Sequence, residues 1–491
     1  MASGASRRLL RLSAHLSDGV LTQGFSSPLP AFLAPRPASR LPSGVSTSPA
    51  VFPLSSSEMK KPDGGSGDSA SSLPPCRAFS SLPGPAAFWG EELQLQFSDE
   101  LHASGCLSIS LNRPKQLNAL SCNMITALHA LLPRAAEDPR VSLLVLSGQG
   151  DRAFCAGGDI RQIASASAAD VDRLFGHEYA LVFNFSKFKK PAVALWDGIV
   201  MGGGVGISIF ASHRLCTEST LWAMPETAIG FFPDVAATFF LPRLKAAPGV
   251  GFFLGLVGKR LRAADLLATG LATHFVPRAR LEALEEKLKT VGLLSGSYRE
   301  IEGFLSPEAA RAEVDRLVGE VSEPLPSSSS LCTLTPEVLE GCRKYFSVLP
   351  NSYQALVASL AAGAAQGCSF AAEVRKTLLE KCPLSCAVWF ALFQRAEARK
   401  QSGEGEGDAA PFYAQREEGD TLLDVLRQDF VLAEAFCYGY PENFKEGVRA
   451  VLVDKDNRPR WTPSSSADLQ AEDVERMLTY GEANALDRFL H

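Results

Sequence analysis

The stretch "AVALWDGIVMGGGVGISIF", Ala192–Phe210, decides the architecture. An apolar run that reads as a buried strand leads into three consecutive glycines, Gly202 to Gly204, and a second apolar run follows. Glycine loses more chain entropy on folding than any other residue, so a triplet inside a core needs a reason. Either the chain turns where no Cβ fits, or something must approach its N–H groups. A strand-to-helix turn supplies both, because the first N–H groups of a helix lack intrahelical partners and favour negative charge.

The flanks read the same way. "LSISL", Leu107–Leu111, alternates as a half-buried strand would, and "VSLLVLSG" reads as a buried one. A helix is predicted from about Ser121, as N-cap, to Leu132, and another over the segment "DVDRLFGHEYALVFNFSKF". Strands alternating with helices argue for an α/β fold with a largely parallel sheet. Order is expected to begin near Trp89. From about Tyr298 the texture turns to charged, helix-favouring segments without clear strands. "SEPLPSSSS" (322–330) and "RKQSGEGEGDAAP" (399–411) read as surface loops.

The chain has 491 residues, more than one compact domain usually holds. Its 46% apolar and 21% charged residues give the profile of a globular chain, and a net charge of -6 gives no reason to expect nucleic acid. No apolar run nears the roughly 20 residues of a membrane span, so no membrane partner is expected. Eleven cysteines without a CxxC pair, and seven histidines without HExxH, support neither a disulfide framework nor a metal site. Residues 1–50 carry Arg7, Arg8, Arg11, Arg36 and Arg40 against a single acid, Asp18, amid many serines. That is the composition of a mitochondrial transit peptide, and "CRAFSS" at 76–81 is similar to a matrix-processing site. The expected organisation is a disordered targeting region (1–88), a core (89–297) and a helical C-terminal region (298–491).

Four segments hold the chemistry: "NRPKQLNAL", "AFCAGGDI", "DGIVMGGGVG" and "MPETAIGFFPD". Neither glycine turn matches a nucleotide-binding GxGxxG or GxxxxGK[ST] pattern. Both offer backbone N–H donors, and two converging on one carbonyl oxygen would form an oxyanion hole. Taken alone, Glu226 and Asp234 read first as helix-start and turn residues.

With the late "FKEGVRAVLVDKDNRPRW", these segments stand in the order found in the crotonase (enoyl-CoA hydratase/isomerase) superfamily, which the chain resembles over roughly residues 92 to 465. It is most similar to the branch that hydrolyses 3-hydroxyisobutyryl-CoA in valine catabolism. The resemblance implies a crotonase-like ββα spiral core and hydrolysis of a short-chain 3-hydroxyacyl-CoA thioester, with coenzyme A as part of the substrate and no separate cofactor. It implies oxyanion donors at the N–H groups of Gly158 and Gly203, and a catalytic Glu226 that attacks the carbonyl or activates water. Asp234 and Glu178 would hold the 3-hydroxyl and position water, and His177 beside Glu178 reads as a packing or surface histidine. Backbone around Leu117, Ala156 and Gly158 would meet the adenine and pantetheine of CoA, with Lys115 and Lys445 as candidate phosphate contacts. The pocket's crowded carboxylates should raise at least one pKa.

In a hydratase of the superfamily a glutamate stands two residues past the triplet, where this chain has Gly206. The chain also departs from the hydrolase pattern after Asp234, with Ala236, Ala237 and Thr238 in place of a Gly-rich run, which bears on the acyl group accepted. Two rival readings are a hydratase or isomerase, and a non-catalytic mitochondrial ribosome subunit. Location in the mitochondrial matrix is expected; the sequence leaves two alternatives for assembly, a homo-oligomer as in crotonase relatives or a helical C-terminal region that caps the core.

Overall fold

Sheet order shows how the chain winds. The computed structural model describes residues 91–97, 105–291, 305–325, 331–401 and 421–490, all within one compact unit, Pro74–His491. The targeting region 1–88, Trp89, Tyr298 and most of both predicted surface loops lie outside them. One sheet has the order β1 (Leu93–Phe97), β2 (Cys106–Leu111), β3 (Leu143–Gly148), β5 (Ala192–Trp196), β7 (His213–Cys216), β9 (His274–Phe275). A second has the order β4 (Ala153–Cys155), β6 (Ile199–Met201), β8 (Leu221–Ala223). Each of the pairs β3–β4, β5–β6 and β7–β8 therefore gives one strand to each sheet before the chain turns back. This is the ββα spiral, and it makes every contact but β1–β2 parallel.

Parallel strands need both faces covered. One face carries Leu107, Ile109, Leu144, Leu146 and Ala194 into the main core. The other carries Cys106, Leu143, Val145, Val193, Leu195 and Leu215 against Leu284, Leu288, Leu317 and Val318 of the helices Leu281–Lys289 and Pro307–Val321. This corrects the half-buried reading of "LSISL": every residue of β2 is buried. Its serines sit under the second helical layer, and Ser110 Oγ accepts from Ser147 Oγ (3.1 Å) and Gln149 Nε2 (2.8 Å). Small polar groups satisfied this way cost little to bury.

Helix α1 (Cys122–Glu137) starts as predicted, with Ser121 Oγ accepting from the Met124 N–H. It does not stop at Leu132. It runs through Pro133 for a further turn, in which Ala135 is fully buried. The predicted second helix is α3 (Ala168–Ser186), which follows the short α2 (Ile160–Ala164). Beyond residue 305 the described residues hold helices and no strand, and the main core continues through them to Leu486. No helix among the described residues is long and apolar enough to cross a membrane.

Leu195 is packed between β5 and the second helical layer, so Leu195→Ala should lower the free energy of unfolding by about 2–5 kcal/mol. Urea denaturation measures it, and a loss below about 1 kcal/mol would contradict the two-sided burial.

Candidate active site

Two glycine loops face each other at the ends of β4 and β6. The first, Ala156–Asp159, leaves β4 with Gly157 at φ +103, and the Asp159 side chain then caps α2 through the Gln162 N–H. It is anchored to the "NRPKQLNAL" segment, Leu120 N–H donating to Gly157 O (2.8 Å) and Asp159 N–H to Leu120 O (2.9 Å). Arg113 reinforces the junction with an ion pair to Asp159 (2.9 Å), and buried Asn118 donates to the Gln149 and Ala153 carbonyls.

The second loop is the glycine triplet, entering the single helical turn α4 (Gly203–Gly206). Each glycine has its own reason. Gly202 sits at φ +49, ψ −123, where a side chain is strained. A Cβ on Gly203 would run into Glu178 Oε1 and lie 3.4 Å from Gly158 N. A Cβ on Gly204 would come within 2.6 Å of Cys155 O, so glycine lets α4 seat on β4. The Gly158 and Gly203 amides are thus near neighbours, and neither donates to any acceptor among the described residues.

Carboxylates surround this pair. Glu226 opens a 3₁₀ turn (Glu226–Ile229) after Pro225; its Oε1 lies 3.0 Å from where a Gly202 Cβ would stand, and its buried Oε2 has no partner among the described residues. Glu178 reaches in from α3, and the next residue, Tyr179, donates its hydroxyl to Asp234 Oδ2 at 2.8 Å. All three acids are buried. Burial, then the nearby Asp234 charge, holds Glu178 and Glu226 well above the usual carboxylate range, while Lys381 draws Glu226 partly back. Burial pushes Asp234 up to about 7, opposed by the Tyr179 hydrogen bond. Among the described residues no three acidic, His or Cys side chains are grouped to hold a metal ion.

The remaining predicted positions divide. Ala156 N–H and Leu117 C=O bond to each other (3.0 Å), so those two atoms are committed within the protein. Lys115 is exposed on the 3₁₀ turn Pro114–Gln116. Lys445 lines an open groove of about 430 Å³ with Arg161, Ser165 and Arg449, beside the helix that Asp159 caps. His177 faces away, stacked on His129 at 4.8 Å, and burial pulls its pKa to about 4, the behaviour of a packing histidine. Arg113, Asn118, Tyr179 and Lys381 were not singled out as site residues in the sequence. The signal for the first two was present, since both lie inside a chemistry-bearing segment.

A family model described as enoyl-CoA hydratase/isomerase matches residues 106–478. The chain is 36% identical over 378 residues to the mitochondrial 3-hydroxyisobutyryl-CoA hydrolase of Mus musculus, covering 76% of this chain and 86% of that protein. It is 37% identical over the same length and coverage to the Homo sapiens protein of that name. Among solved structures, a carnitinyl-CoA dehydratase from Mycobacterium thermoresistibile aligns at TM-score 0.62 and 27% identity, over 80% of this chain and 98% of that one. An enoyl-CoA hydratase from Rhodobacter sphaeroides aligns at TM-score 0.60 and 27% identity, over 79% and 97%.

Two outcomes test this geometry. Gly203→Ala should leave a folded protein whose activity on acyl-CoA thioesters falls about a hundredfold or more, the scale of losing an oxyanion donor; near-normal turnover would refute the close approach. Burial raises the Asp234 carboxyl to about 7 in the folded chain, against an ordinary value of 3.8. The folded state therefore holds this proton more tightly, and stability from protonated Asp234 is full below about pH 4 and lost as pH rises through 7. Thermal unfolding across pH should show a shallower decline in Asp234→Asn, and an unchanged slope would contradict the assignment.

Proposed function

The chain belongs to the enoyl-CoA hydratase/isomerase family, and from that premise we propose that it hydrolyses 3-hydroxyisobutyryl-CoA to 3-hydroxyisobutyrate and free CoA. The family contains hydratases as well as hydrolases, and one observation carries the choice. Gly206 occupies the place of a hydratase's first glutamate, and a Cβ there would lie 2.6 Å from Val235 Cβ. With no room for a side chain, the acid pair that adds water across a double bond is not built. The acids present are Glu178 and Glu226 against the glycine triplet, with Asp234 close enough to act on both.

In this reading the thioester carbonyl accepts from the Gly158 and Gly203 amides, which stabilise the oxyanion of the tetrahedral intermediate. Glu226 acts at the carbonyl carbon, by direct attack to a mixed anhydride that water opens, or by taking a proton from an attacking water. The C–S bond breaks and the thiolate leaves with a proton. Asp234, fixed by Tyr179, and Glu178 hold the 3-hydroxyl and the water. Raised pKa values support proton sharing among these acids at neutral pH. The groove lined by Arg161 and Lys445 offers cations to the CoA phosphates.

The named relatives are mitochondrial proteins, and the Arg-rich, acid-poor N-terminal segment supports the same location for this chain, in the matrix.

The test offers 3-hydroxyisobutyryl-CoA, 3-hydroxypropionyl-CoA and crotonyl-CoA to the protein, following free thiol and loss of the double bond separately. Thiol release from the hydroxyacyl esters, abolished in Glu226→Gln, is the expected result. Consumption of crotonyl-CoA without thiol would move the chain to the hydratases.

A further inference from the structure

A fourth buried acid lies behind the three already described. Asp429, on the helix Thr421–Glu434, is 1% exposed and stands 193 positions beyond the loop it touches. Its Oδ2 accepts the Ala236 N–H at 2.9 Å, and its Oδ1 has no partner among the described residues. Ala236 is two residues past Asp234, and the backbone between them is unusual: Val235 at φ +49 and Ala236 at φ +68 are consecutive non-glycine residues in the left-handed region. Side chains disfavour that conformation, so the surroundings must impose it. The turn closes with Ala237 N–H donating to Asp234 O at 2.9 Å, and the helical turn Ala237–Phe240 follows. On its other side the turn seats Val235 against Gly206 and presents the Asp234 carboxylate to Tyr179.

We infer that Asp429 is a positioning residue for Asp234: by accepting the Ala236 N–H it holds the left-handed Val235–Ala236 turn that aims the Asp234 carboxylate beside Tyr179, Glu178 and Glu226. A carboxyl oxygen accepts this N–H whether or not the acid carries its proton, and a fixed helix supplies the acceptor without a flexible loop. The catalytic consequence rests on the hydrolase reading; the role in the backbone does not. The inference gives the C-terminal helices a part in the chemistry. It also explains how alanine is tolerated at position 236, because the acceptor offsets the strain glycine would avoid.

Three variants decide it. Asp429→Leu should lower kcat for thiol release from 3-hydroxyisobutyryl-CoA about tenfold or more, with inhibition by free CoA changed less than twofold. Asp429→Asn, which can still accept the Ala236 N–H, should recover at least a third of wild-type kcat. Ala236→Gly placed in the Asp429→Leu background should recover activity and part of the lost urea-unfolding midpoint, since glycine adopts the turn unaided. Unaltered kcat in Asp429→Leu, equal losses in the Asn and Leu variants, or no recovery from glycine would each overturn the inference. Should the wild-type protein release no thiol, the hydrolase reading fails, and the unfolding midpoints of the same variants still decide whether Asp429 holds the turn.

Discussion

The site depends on one steric fact: two glycine loops meet where side chains are excluded, by positive φ at Gly157 and Gly202 and by the Glu178 carboxylate standing where a Gly203 Cβ would be. Gly158 and Gly203 leave their amides side by side and unspent, with Glu178 against the place a Gly203 Cβ would take and Glu226 against that of Gly202. Unpaired amides are costly away from water, so a fold keeps them only where something offsets the loss. The ββα spiral makes the arrangement available, because β4 and β6 are neighbours in the second sheet and end at the same level. Arg113 and Asn118 then fix the first loop, and Gly204 seats the second on Cys155.

Around that backbone sits an acidic cluster with little cationic relief. Glu178, Glu226, Asp234 and Asp429 are all buried, and their mutual repulsion adds to desolvation. Full ionisation of all four in such a place is strongly disfavoured, and sharing protons among them is the physical response. Lys381, at the foot of the helix Pro383–Gln401, lies close enough to Glu226 to favour its charge, while the other three acids have no equivalent among the described residues. A pocket of this kind trades stability for groups able to take a proton from an attacking water and return one to the departing thiolate. The bulk that Ala236 and Ala237 add beside Asp234 is fully buried, so it acts through the shape of this cluster rather than at the surface.

Much of this was legible in the chain, for local reasons. The glycine loops could be read because a missing Cβ is itself the sequence signal, and Glu226 and Asp234 because they share one segment with fixed spacing. The helix start at Ser121 was legible from its cap, but not the helix end, since packing of Ala135 outweighed the proline at 133. The burial of β2 was not legible because its cover arrives from residues 281–321, far along the chain. Asp429 and Lys381 escaped for the same reason: they meet the site only through tertiary contacts across more than a hundred residues, and nothing in their own neighbourhoods sets them apart.

The most direct test of the central claim is a crystal structure of the Glu226→Gln protein with 3-hydroxyisobutyryl-CoA bound. The account predicts the thioester oxygen within about 3 Å of both the Gly158 and Gly203 nitrogens, with residue 226 on the carbonyl carbon. A carbonyl bonded to neither amide, or an acyl group bound away from residue 226, would contradict it.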